Sequence, residues 1–409
     1  MKTDWFTKAR FGLFIHWGIS SIPAHDVWAM FKDDWDYAEY EKFAGRFNPV
    51  DFNPEDWAEL AWNAGMRYMV FTTKHHDGFC MFDSKYTDYK ITNTPYGKDI
   101  TAELCAAFRK RGLKIGFYHS LVDWRHPHFI PDAEHPLWKR GQRDFAGRNR
   151  EIYQEYLYKQ VEQLMTGYGK IDLLFLNYTS KHKTSDEWAP ERLLEMIYRL
   201  QPEIIVNDRL SYDKKSFTGD YCTPEISVPN QPVEISGIEF PWETCMTMNS
   251  SWGFNSSDTE FKTPATIITA LANCVSKNGN LLMNVGPDAM GNIPPQSIAV
   301  LQAAGEWFKL NGEAIHGCGK TAYHPPTGLF YTAANNCLYL HMPFAPMGDI
   351  ILPQLNGKVE KVELLATGED VPMITYWGSE LLLHDELRIR PPVTCSNTLP
   401  SVLKISLAN

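Results

Sequence analysis

Apolar, β-rich runs recur along the first three quarters of the chain, and nearly all of them stop at residues able to do chemistry. Residues 11–15 run into His16-Trp17-Gly18, 68–73 into Lys74-His75-His76-Asp77, and 114–117 into Tyr118-His119-Ser120. Residues 173–176 end at Asn177, 204–206 at Asn207-Asp208-Arg209, and 220–223 at Pro224-Glu225; Trp242-Glu243 and 280–286 complete a set of eight. Short, almost wholly apolar runs suit strands buried on both faces, which is the situation in a parallel sheet. Polar side chains at the C-terminal ends of successive parallel strands are the signature of a (β/α)8 barrel. The expected class is therefore α/β, with a (β/α)8-like barrel.

The stretches between the runs read as helices. Asn53-Pro54 precedes a periodic segment closed by Gly65, and 100–112 has the same plan, with glycine at its end. Residues 151–167 and 191–200 supply two more, whereas 228–241 is Pro-rich and predicts a long rim loop shaping entry. After His316-Gly317-Cys318-Gly319 the helical period gives way to short strands at 338–342, 349–352, 359–364, 380–384 and 402–407, the pattern of a C-terminal antiparallel β-sandwich. These signals predict a barrel over 1–320 and a sandwich over 321–409.

Composition narrows the ligand. A formal charge of -10 without a basic cluster excludes an electrostatic grip on nucleic acid or on an anionic membrane surface. A neutral polar ligand fits better. Aromatics make up 13% of residues, and many lie beside His, Asp or Arg, as in sugar sites, where aromatic faces pack on ring C–H groups and polar groups bond the hydroxyls. The N-terminus lacks an apolar leader segment and no run of about 20 apolar residues occurs, so the expectation is a cytoplasmic chain. The eight cysteines show no C-x-x-C spacing, which predicts reduced thiols, no zinc site and no cofactor.

Lys74-His75-His76-Asp77-Gly78-Phe79 is the most specific local signal. At a strand-to-loop transition both imidazoles can turn into the barrel mouth and bond hydroxyls; a metal pair is the alternative, which the lack of an H-E-x-x-H pattern disfavours. His16 reads as a hydroxyl partner beside an aromatic wall, Trp17, or else as a satisfied core histidine. Arg209 can hold a carboxylate ionised, bond a hydroxyl, or pair structurally with Asp208. Glu225, after a turn-favouring proline, is a candidate general acid/base.

Phe11-Gly12-Leu13-Phe14-Ile15-His16-Trp17-Gly18 and Lys74-His75-His76-Asp77-Gly78-Phe79, followed in order by Val206-Asn207-Asp208-Arg209, Gly219-Asp220-Tyr221-Cys222-Thr223-Pro224-Glu225, Ser251-Trp252-Gly253-Phe254 and 279–287, resemble the motifs of family 29 glycoside hydrolases, the α-L-fucosidases. The resemblance spans about 300 residues. It implies a barrel followed by a β-sandwich, and retaining hydrolysis by two carboxyl groups about 5 to 5.5 Å apart that releases terminal fucose from fucosylated oligosaccharides. The nucleophile position falls on Asn177. Glu225 matches one acid/base position, and Glu243 is the alternative. His16, His75, His76, Tyr118 and Arg209 match fucose-contacting positions, with Trp28 among the hydroxyl contacts and Trp252 an aromatic wall near the C5 methyl.

Two departures stand out. The acidic residue that often precedes the tryptophan matched by Trp28 is Val27 here, and the nucleophile is an amide. An amide cannot attack an anomeric carbon as a carboxylate does. Asn177 therefore reads either as an Asp→Asn replacement in an otherwise intact enzyme, inactive or very slow as written, or as the mark of a glycan-binding pseudo-enzyme. A related sugar such as D-galactose, and a lectin-like role for the sandwich, are the competing functions; the sugar-site candidates all precede residue 320.

Overall fold

The computed structural model describes residues 1–178, 187–210, 219–374, 385–392 and 398–408. The barrel region contains β1 (Phe11–Ile15), β2 (Tyr68–Lys74), β3 (Lys114–Ser120), β4 (Leu173–Asn177), β5 (Ile205–Val206), the short hairpin β6 (Glu234–Ile235) and β7 (Ile238–Glu239), then β8 (Trp242–Thr247) and β9 (Gly279–Val285). Seven of these form one parallel sheet in the order β5-β4-β3-β2-β1-β9-β8. Residues 220–226 link its two edges. Asp220 N donates to Val206 O at 2.7 Å on one side, while Glu243 N donates to Cys222 O and Ile226 N to Cys245 O, both at 2.9 Å, on the other. This stave is held by isolated bridges, and Pro224 has no N–H to give a ladder.

Alternation along the staves sorts the side chains. Phe14, Tyr68, Val70, Tyr118, Leu173, Phe175, Tyr221, Cys245 and Leu282 face inward and form one buried cluster. Gly12 belongs to this series, because a Cβ there would lie 2.4 Å from the Tyr68 ring. The helix Asp4–Ala9 plugs the floor, where the Phe6 ring lies 4.9 Å from that of Tyr221 and the backbone oxygen of Phe6 accepts from Asn280 Nδ2 at 2.8 Å.

The surrounding helices follow their sequence signals. In Pro54–Asn63 the Asn53 side chain accepts from the backbone N–H of Glu55 and Asp56, a cap worth about 1 kcal/mol. Ile100–Arg111 is capped by Asp99 and ends at Gly112 with φ 90°. Arg150–Gly167 and Pro190–Leu200 also appear. The expected rim loop at 228–241 is different in the structure. It descends from Glu225 to the floor, where Glu239 accepts from Asn278 and Lys320, so it stands in place of a helix and does not roof the mouth.

Beyond the helix Pro295–Asn311, β10 (Phe330–Ala334), β11 (Cys337–Met342), β12 (Ile350–Leu352), β13 (Val359–Leu364), β14 (Glu369–Asp370), β15 (Leu387–Ile389) and β16 (Ser401–Leu407) build an antiparallel sandwich. One sheet runs β10-β11-β16-β13-β14 and the other pairs β12 with β15; Leu338, Leu340, Leu403 and Ile405 meet Ile350, Leu352 and Ile389 in the shared core. The strand expected at 380–384 lies outside the described residues. Trp307 Nε1 donates to Pro400 O at 2.7 Å, and Glu313 receives both Tyr339 and Lys404 at 2.6 Å, tying the sandwich to the barrel's last helix. Among the described residues no helix is long and apolar enough to cross a membrane.

Candidate active site

The inward residues at the C-terminal ends of the staves surround a cavity of about 230 Å³. That is smaller than the roughly 300–1,000 Å³ of sites for drug-sized ligands, and suits a single sugar ring. His16, Trp28, His75, His76, Tyr118, Asn177, Arg209, Glu225 and Trp252 all line it, together with Phe14, Phe175, Tyr178 and Cys245. Both adjacent histidines reach the mouth because β2 ends at Lys74 and the chain turns there, Gly78 N donating to His75 O at 3.1 Å, so strand alternation no longer separates them. Lys74 itself is turned away, toward Gln160 at 3.1 Å and Asp123 at 3.5 Å.

The histidines are uncharged. Burial pulls His16 down to about 4, against the opposing hydrogen bond to Asn284, and His76 to about 3, and it holds His75 well below the ordinary range, with neighbouring imidazoles adding to the effect at His75 and His76. Their tautomers follow from their partners. Asn284 gives its Nδ2 to Trp252 O at 2.6 Å, so its oxygen faces His16 Nδ1, 2.7 Å away, and that nitrogen must donate. Ser120 Oγ donates to Val122 O at 2.7 Å, so it accepts from His76 Nδ1 at 2.6 Å. Each ring is left with Nε2 as an acceptor, suited to a hydroxyl donor. His75 Nδ1 is buried without a partner, and its ring stacks on Tyr118 at 5.6 Å.

Arg209 organises the opposite wall. Its Nη1 donates to Asn177 Oδ1 at 2.7 Å and its Nη2 pairs with Glu225 Oε2 at 2.7 Å, while Nε bonds Thr223 Oγ1 at 2.9 Å. Burial opposes its charge, but Glu225, Cys245 and Asp208 together more than offset this and raise its pKa. Arginine can only donate, so the Asn177 oxygen must face it and the amide NH2 must face Tyr118, whose hydroxyl accepts at 2.9 Å. Asp208 fixes Thr223 in turn, accepting from its N–H and hydroxyl at 3.1 and 2.7 Å.

Two expected site residues lie elsewhere. Trp17 points outward, as alternation after inward-facing His16 requires; it packs among Phe47, Phe52 and Trp57 at 5.1 to 5.5 Å and gives its Nε1 to Asp288 O. Glu243 is the second residue of β8 and therefore lies near the floor, fully buried, accepting from Tyr68 OH; burial pushes it up to about 8. It does not line the cavity. Asn284, Tyr178 and Asp26 also shape the site, and residue type alone marks none of them. The Asp26 carboxylate accepts from the backbone N–H groups of Val27, Trp252 and Gly253 at 2.8 to 3.0 Å and so fixes the loop carrying Trp252. Asn284 falls two residues after inward-facing Leu282 and was open to the same period-2 reasoning.

Uncharged acceptors, indole faces and a bridged amide–carboxylate pair at the mouth of a parallel barrel place the molecule in the class of barrel glycoside hydrolases. The family model described as Alpha-L-fucosidase matches residues 1–313, and the chain belongs to that family. The tissue alpha-L-fucosidase of Mus musculus is 30% identical over 378 residues, covering 85% of this chain and 79% of that protein. Alpha-L-fucosidase isoenzyme 1 from Paenibacillus thiaminolyticus superposes with a TM-score of 0.95 at 40% identity, over 100% of this chain and 99% of that one. An alpha-L-fucosidase from Bacteroides thetaiotaomicron, solved as a trapped covalent intermediate in complex with 2-fluoro-fucosyl fluoride, gives a TM-score of 0.88 at 27% identity, over 100% and 96% of the two chains.

Proposed function

We propose that this chain carries the site of a retaining, exo-acting α-L-fucosidase for fucosylated glycans, with position 177 the nucleophile position and an asparagine in it, so that the protein as written binds its substrate but turns it over very slowly. The observation that carries this reading is the bridge made by Arg209. One guanidinium contacts the side chains of Asn177 and Glu225 at 2.7 Å each, so the two groups share one cation at the same wall of the cavity, an arrangement suited to the paired groups of retaining hydrolysis. The covalent intermediate trapped in the Bacteroides relative supports a double displacement.

In this reading His16 and His76 accept from sugar hydroxyls through Nε2, His75 and Tyr118 complete the polar face, and Trp28 and Trp252 supply apolar walls. Glu225 protonates the leaving oxygen and later activates water. An aspartate at 177 would keep its Arg209 contact, gain the charge that attacks the anomeric carbon, and be held ionised by the guanidinium. The chemistry is assigned to residues 1–320 and a bracing role to 321–409. Replacing Asn177 by Asp tests the proposal: turnover of an aryl α-L-fucoside rises on the order of 10⁴-fold, and NMR shows α-fucose as first product. Equal rates for the two proteins, or β-fucose first, would reject it.

A further inference from the structure

Tyr178 follows the proposed nucleophile position and has a backbone that bulky residues avoid. Its φ is 101°, outside the left-handed well that Asn or Asp tolerates and deep in territory normally left to glycine. Such an outlier persists only where its surroundings over-determine it, and it points to a function for the side chain so placed. Here the surroundings are explicit. On the N-terminal side Asn177 is held by Arg209 and Tyr118, and its carbonyl accepts from Leu121 N at 2.8 Å. The Tyr178 ring meets His76 edge-on at 5.1 Å and Trp28 at 6.5 Å, and its hydroxyl donates to Glu134. Glu134 is itself positioned, its N–H bonded to the Asp132 carboxylate at 3.1 Å.

The sign of φ decides on which side of the chain the Cβ leaves, so an ordinary φ would carry the ring off this wall. The half-buried ring lines the cavity between the imidazole and the indole. We propose that Tyr178 is a substrate-contacting, specificity-determining residue: its ring closes the Trp28–His76 side of the cavity against the sugar, Glu134 anchors it there, and the strained backbone is what the protein tolerates to hold it. The proposal rests on the sugar-binding reading above and adds a contact that the family motifs did not supply.

The test is L-fucose binding by calorimetry, together with thermal unfolding, for the chain as written and for Tyr178→Gly, Tyr178→Ala and Tyr178→Phe. Losing the ring weakens L-fucose binding about tenfold in both the Gly and Ala variants. The Gly variant unfolds at a higher temperature than the Ala variant, the reverse of the usual order, because only glycine accepts this φ without strain. Tyr178→Phe keeps the wall and binds within about twofold of the parent, since a ring contact needs no hydroxyl. A merely structural tyrosine gives a different pattern, with binding recovering as stability does. Parent-like affinity in Tyr178→Gly overturns the proposal, whereas a parent that shows no saturable L-fucose binding rejects the sugar reading itself.

Discussion

Replacing Glu243 by glutamine should stabilise the protein at alkaline pH and leave it unchanged in acid. Glu243 is fully buried at the barrel floor, where burial raises its carboxyl from the ordinary 4.5 to about 8. Below pH 4.5 the group is protonated in both folded and unfolded chains and its contribution is fully present. Between 4.5 and about 8 the unfolded chain releases the proton and the folded one retains it, so stability falls by about 1.4 kcal/mol for each pH unit. Above pH 8 the loss levels off at about 5 kcal/mol, with no discount for solvent because none reaches the group. Glutamine is neutral throughout. Its oxygen can still accept from Tyr68, and its NH2 has a candidate acceptor in Asn280 Oδ1, which is buried without a partner. Asp77, also pushed up by burial, to about 7, adds the same slope to both proteins and cancels in the difference. Urea unfolding followed by tryptophan fluorescence at pH 4.5, 6.5 and 8.5 measures the gap. A difference between the two proteins that is the same at pH 4.5 and pH 8.5 would refute the buried, protonated Glu243, and a leaving-group-dependent loss of turnover in the Asn177→Asp background would return it to the acid/base role.

Glu225→Ala in the Asn177→Asp background slows cleavage of a natural glycan far more than that of an activated aryl fucoside, and azide rescues part of the second step; uniform loss would make Glu225 a structural rim residue. Asn284→Leu removes the acceptor that fixes the His16 tautomer and the donor that holds the Trp252 carbonyl, and should weaken L-fucose binding by about 2 kcal/mol, roughly 30-fold, in calorimetry; unchanged affinity would separate His16 from the ligand. Trp17→Phe opens a gap in the outer aromatic cluster and lowers stability by about 1 to 3 kcal/mol in urea unfolding while L-fucose affinity stays put; weaker binding without loss of stability would restore Trp17 to the cavity.

The barrel was legible because each buried stave ends in a polar group whose only escape from the core is the rim, and the sandwich because turns punctuate short alternating runs. The stave at 220–226 could be placed from Tyr221 and Glu225, but its irregularity follows from a proline whose missing N–H matters only once neighbouring strands are known. The two misplaced residues share a cause. At both, residue type beside a strand suggests a role in the site, whereas period 2 turns Trp17 outward after His16, and position along the strand sets Glu243 at the opposite end of β8 from the cavity. Asp26 was beyond reach, since its role depends on backbone donors 226 and 227 residues away. Tyr178 was hidden for another reason. Nothing in its residue type announces a φ of 101°.

The orientation of the Asn177 amide bears on any complex captured with this chain. Because Arg209 claims the oxygen, the NH2 points its hydrogen at Tyr118, and the phenol is free to turn its own proton toward the guest. With aspartate the phenol would spend that proton on the carboxylate and offer the guest a lone pair. A sugar soaked into the asparagine form thus meets the mirror-image polarity at one contact, and the pose it adopts should be read as that of an inverted lock: right in shape, reversed in the sense of a single proton beside the carbon where the bond would break.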